Sequence, residues 1–107
     1  MRLTQKQINK LRETYNVKRK DYIINVVHRC MNCVIKQIKS SAKNGEDIYM
    51  FSDSTFYKFY NKEKTKYFDI NTTQFTYIVA DNLVNLGFSI KEMVFGCIQV
   101  DLTKGIN

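Results

Sequence analysis

Apolar residues in the first part of the chain recur at helical spacing. Ile8, Leu11 and Tyr15 share one face while Lys6, Lys10 and Glu13 share the opposite one. Thr4 and Gln7 form a capping-box pair, and Leu3 with Ile8 supplies the staple that accompanies it, so the pattern predicts a short amphipathic helix ending near Asn16. A second, longer helix is predicted from Asp21 to Asn44-Gly45, where glycine can adopt the left-handed conformation that closes a helix. In it Ile23, Val27, Cys30, Met31, Val34, Ile38 and Ala42 fall on one arc, with Ile24 and Ile35 at its flank. The other side collects Asn25, Arg29, Asn32, Lys36, Lys39 and Lys43, a ridge roughly 27 Å long at 1.5 Å per residue.

From Ile48 to Ile70 the chain is rich in Tyr, Phe and Thr, which reads as strand: Ile48–Phe51 first, then a hairpin turning at Asn61–Lys64. A third helix is predicted over Thr72–Leu86. Asn71 caps it, Gln74 reaches back, Ile70 is stapled to Phe75, and Gly87 terminates it with Phe88 placed to touch Leu83. Beyond it Ile98, Val100 and Leu102 alternate with Gln99 and Asp101, which favours closing strands around Gly96 over a short helix capped by Ser89 and Glu92. The expected fold is α+β, with two N-terminal helices and a third helix packed on a small, mostly antiparallel sheet, residues 1–107 forming one domain.

Composition agrees with a folded chain, since 44% of the 107 residues are hydrophobic and seven Phe and seven Tyr are available for a core. No apolar run reaches the roughly 18 residues that a membrane span requires, and the start lacks the apolar stretch of a signal peptide. The expectation is a cytoplasmic protein with no membrane partner. Three cysteines without an export signal read as free thiols. Charge changes the picture more. Residues 1–43 hold eleven Lys or Arg against Glu13 and Asp21, a net +9, whereas residues 44–107 hold six Lys against eight carboxylates, a net −2. Such regional asymmetry bears on association with anionic surfaces.

Candidate chemistry is sparse. Cys30 and Cys33 form a Cys-x-x-Cys, yet they lie well inside the predicted second helix, where the N-terminal dipole cannot activate a thiol. His28 lies about 160° round that helix from Cys30, and Cys97 leaves the ligand count at three, so zinc is not expected. His28 is the only histidine and has no triad signature around it. Asp47, Asp53, Asp69 and Asp81 are scattered, and the four glycines are isolated, so neither a metal loop nor a phosphate loop is present. The reading is therefore of a binding protein with no catalytic residue, no metal and no cofactor.

Two surfaces can carry that binding. The first is the basic ridge of Arg29, Lys36, Lys39 and Lys43, extended by Lys18, Arg19 and Lys20 in the turn expected between the first two helices. The second is the aromatic set Tyr57, Phe59 and Tyr60 on the expected hairpin, where alternation with Phe56 leaves one pair outward, to stack on a partner or be covered by a second copy in a homodimer. The stretches Ser40–Gly45 before a strand and Leu83–Ile90 before closing strands resemble a layout recurrent in small accessory proteins of tailed phages. That resemblance implies a non-enzymatic phage or mobile-element protein that binds, and in some cases inhibits, a host protein or nucleoprotein in the host cytoplasm. The alternatives are a direct DNA- or RNA-binding module using the same ridge, and a small enzyme without readable motifs.

Overall fold

A computed structural model describes residues 3–94 and 96–104 of the chain; Arg2, one of the eleven basic residues above, lies outside them. The elements in order are α1 (Gln5–Lys43), β1 (Ile48–Phe51), a 3-10 helix (Asp53–Phe59), α2 (Lys62–Tyr67), α3 (Thr73–Asn85), β2 (Ser89–Val94) and β3 (Cys97–Asp101). The class is α+β, as the sequence pattern predicts. The strands form one antiparallel sheet in the order β1-β3-β2, with Tyr49 and Ile90 both opposite Val100.

The two expected N-terminal helices are one. α1 runs for 39 residues without interruption, about 58 Å at 1.5 Å per residue, and the longest dimension of the molecule is 66 Å. The turn expected at residues 16–21 does not form, for two reasons. Asn16–Asp21 holds neither Gly nor Pro, and Lys and Arg are good helix formers. Tertiary contacts also span the junction: Tyr15, Arg19 and Tyr22, at i, i+4 and i+7, all grip α2. The rings of Tyr15 and Tyr22 lie 5.6 Å from that of Phe68, Arg19 Nε donates to the Phe68 carbonyl at 3.0 Å, and the Tyr22 hydroxyl meets Thr65 Oγ1 at 2.8 Å.

The capping box at Thr4 is as expected, with the Gln7 amide NH donating to Thr4 Oγ1 and the Thr4 NH to Gln7 Oε1. The first turns of α1 project past the body, so that Leu11 remains 62% exposed. Further along, the row Val26, Cys30, Val34 and Ile38 is buried. This is an i, i+4 ridge, inclined to the helix axis. The inclination explains why Val26 is core although the 100° arc omits it, while Ile23, Val27 and Met31 only flank the core and Ala42 is exposed. Phe75, Val79, Ala80 and Leu83 of α3 close on this row, together with Tyr49, Phe51, Ile98 and Val100 from one face of the sheet. Each Val, Ile, Leu or Phe side chain buried here contributes roughly 1.5–3 kcal/mol.

The expected hairpin over residues 52–70 is absent. Ser52-Asp53-Ser54-Thr55 is a run of short polar side chains that compete for backbone groups and start a turn: the Ser52 NH donates to Thr55 Oγ1 at 3.0 Å and a 3-10 helix follows. Asn61, expected in the hairpin turn, instead caps α2, its Oδ1 accepting from the Lys64 NH at 3.0 Å. Tyr and Phe, which favour strands, are here found on short helices because their rings pack across elements rather than on a pleat.

α3 lies within a residue of its predicted bounds at each end, but the reach of the Gln74 side chain back to the cap is not seen among the described residues. Asn71 Oδ1 accepts from the Thr73 NH, and at the far end the Phe88 NH reaches the Leu83 carbonyl and the Gly87 NH that of Val84. Residues 89–94 are strand, not a short helix, with a register irregularity between Glu92 and Val94.

Candidate binding flank of α1

Continuity of α1 decides which cations stand together. At 100° per residue Lys18, Arg29, Lys36 and Lys43 fall within about 40° of one another, with Lys39 some 40° beyond Lys43. All five are exposed, and the line from Lys18 to Lys43 is about 38 Å long. Arg19 and Lys20 leave this line. The Arg19 side chain is half-buried and held by the Phe68 carbonyl, while Lys20 points from the opposite flank. Among the described residues the only ion pair is Lys104 with Asp101, at 4.0 Å, so none of the five cations of the line is ion-paired there.

Two grooves open beside it. In the first, of about 680 Å³, Arg29, Asn32 and Lys36 face Lys58 and Phe59 from the end of the 3-10 helix. The Lys58 ammonium also sits 5.2 Å from the Phe59 ring centroid, so its charge is kept beside that of Arg29 and Lys36. In the second, of about 690 Å³, Lys18 and Asn25 face Lys64 and Tyr67 of α2, with Asp21 and Glu63 supplying two negative charges.

The aromatic set divides three ways. Tyr57 is 59% exposed, Phe59 lines the first groove, and Tyr60 is half-buried and fixed. The Tyr60 hydroxyl donates to Asp53 Oδ1 at 2.7 Å and lies 3.2 Å from the Thr72 carbonyl, while Thr72 Oγ1 donates to Asp53 Oδ2 at 3.0 Å. Burial first, and then the Asp53 carboxylate, push the Tyr60 hydroxyl well above its ordinary pKa, so it stays a protonated donor. The outward–inward alternation of a hairpin does not apply, since these residues follow a helical path. Tyr67, which belongs with Lys64 and Lys66 to the same aromatic–lysine stretch of the sequence, is 67% exposed at the second groove. Its signal was the cluster Lys64-Thr65-Lys66-Tyr67, an aromatic among lysines.

No family model, curated protein or solved structure matches this chain.

The cysteines take structural places. Cys30 is fully buried, and burial, followed by the neighbouring Cys33, pushes its thiol up to about 12. Cys33 and Cys97 are half-buried free thiols, and no group of three metal-capable side chains occurs among the described residues. His28 is exposed, with Nε2 3.3 Å from the Asn32 amide nitrogen. No described helix is long and apolar enough to cross a membrane.

Proposed function

We propose that this chain is a non-enzymatic accessory protein that docks on a host macromolecule or nucleoprotein, and thereby inhibits it, through the basic flank of α1. The observation that carries this reading is the line Lys18, Arg29, Lys36, Lys39 and Lys43, exposed and without an ion-pair partner among the described residues. Five like charges on one straight helix repel one another, and a polyanion relieves that repulsion while releasing its own counterions. The exposed His28 and the buried Cys30 give a catalytic site little to build on. The host cytoplasm is the compartment that fits such a partner.

Direct binding to DNA or RNA is the second reading. Exposed Tyr57 and Tyr67 among Lys58, Lys62, Lys64 and Lys66 favour it, because rings between cations can stack on bases.

Capture from a cell lysate, with and without nuclease, tests both readings when run beside the charge-reversed variant Arg29→Glu/Lys36→Glu/Lys39→Glu. The wild-type protein is expected to retain a partner that the variant loses. Nuclease removes the partner in the second reading and spares a protein partner in the first. If the variant retains every partner, both readings fail. For five duplex phosphate contacts the slope of log affinity against log salt is about −4.5, a loss of roughly 500-fold between 50 and 200 mM salt.

A further inference from the structure

Where the 3-10 helix, α2 and the turn before α3 meet, a pocket of about 560 Å³ opens, within the size range of sites that take a small organic group. Tyr57, Tyr60, Ile70 and Thr72 form its aromatic and apolar walls, and Lys62 and Lys66 stand at its mouth beside Asp69. The Tyr60 ring is immobilised: it stacks on Phe75 at 5.1 Å and 29°, and its hydroxyl is tied to Asp53. The Tyr57 ring lies 6.0 Å from it at 58°, and being largely exposed it has a face open to a ligand. Lys62 and Lys66, one turn apart on α2, are exposed and have no ion-pair partner among the described residues. A fixed aromatic wall with two cations at the rim suits a planar aromatic group that carries a phosphate beside it.

The position of the pocket selects the source of that group. Tyr57 and Tyr60 line the pocket while the intervening Lys58 and Phe59 line the groove beside Arg29 and Lys36, so one short stretch of chain separates the two. We propose that the pocket receives an unpaired base of a nucleic-acid strand whose phosphates follow the basic flank of α1. This rests on the reading of that flank as a polyanion-binding surface, and names the strand chemistry it meets. No glycine-rich loop is present to wrap the phosphates of a free nucleotide, so the strand itself must hold the phosphate at the rim.

The test compares a labelled single-stranded oligonucleotide with an abasic strand of the same length and with a mononucleotide. Wild-type protein should bind the base-bearing strand about tenfold more tightly than the abasic one. Tyr57→Ala should abolish that preference while leaving abasic binding unchanged, and Tyr57→Phe should retain it. Arg29→Glu/Lys36→Glu should weaken both strands alike. The pocket assignment is overturned if wild-type protein binds the two strands equally, if it binds neither, or if Tyr57→Ala lowers both together. A mononucleotide bound as tightly as the strand overturns it too. Equal binding that still responds to the charge reversal leaves the flank standing without the pocket, whereas retention of lysate partners by the charge-reversed protein removes the flank itself.

Discussion

Asp69 shows how one residue can hide an element. Three helices of this chain end with the same paired bonds, from the second residue past the cap to the third-last carbonyl and from the first to the second-last. The pairs are Glu46–Ser41 with Gly45–Ala42, Ile70–Thr65 with Asp69–Lys66, and Phe88–Leu83 with Gly87–Val84. The left-handed position is Gly45 at φ 78° and Gly87 at φ 100°, but Asp69 at φ 51°. The two glycines were legible as stop signals; the aspartate was not, and α2 was read as part of a hairpin. Replacing Asp69 by glycine removes a Cβ from a conformation that disfavours it, so Asp69→Gly should raise stability by about 0.5–1 kcal/mol, seen as a higher urea midpoint. Asp69→Val should lower it by about 1 kcal/mol or more. A midpoint that moves the same way for both would sink this account of the turn.

At the scale of elements, α3 and the closing strands were legible because each carries its own signals: a cap, a terminator and an alternation that do not depend on distant residues. The break expected near Asn16 was a different matter. The sequence there is locally neutral, and the grip of Tyr15, Arg19 and Tyr22 on Phe68 and Thr65 comes from residues more than forty positions away. The basic line inherited this: its members from Arg29 onward were readable from spacing, while the choice of Lys18 over Arg19 and Lys20 as its extension follows only from a continuous helix. Lys20→Pro tests that continuity. Its side chain is exposed, so an inter-helix turn would accept the change, whereas a continuous helix loses about 3 kcal/mol and Arg19 is pushed out of helical geometry. Circular dichroism and urea unfolding report the difference; an unchanged midpoint would contradict an unbroken α1.

For the molecule as a whole, two groups of the buried core impose a pH dependence on stability. The Cys30 thiol is raised from an ordinary 9.0 to about 12, and the Tyr49 hydroxyl from 10.0 to about 12, each chiefly by burial. The folded state therefore keeps protons that the unfolded chain releases. The resulting stability is whole below about pH 9 and is lost progressively as pH rises toward 12. Urea midpoints measured at pH 7, 9, 10 and 11 should fall over the last steps, and a flat profile would refute this. Tyr49→Phe should make the fall shallower without loss at pH 7, because the Tyr49 hydroxyl is buried with no hydrogen-bond partner among the described residues.

The strand order has a consequence for how the chain is made. β3 lies between β1 and β2, yet it is the last of the three to be synthesised. Ile48–Phe51 therefore leaves the ribosome with no ladder to join, and Ser89–Val94 follows it into the same state. Only the arrival of Cys97–Asp101 lets either edge pair. Until then α1 can form from local bonds alone, holding its charges out along a rod while the apolar face of the unfinished sheet waits. A nascent chain halted just short of Cys97 would display the basic flank of α1 before its core was complete.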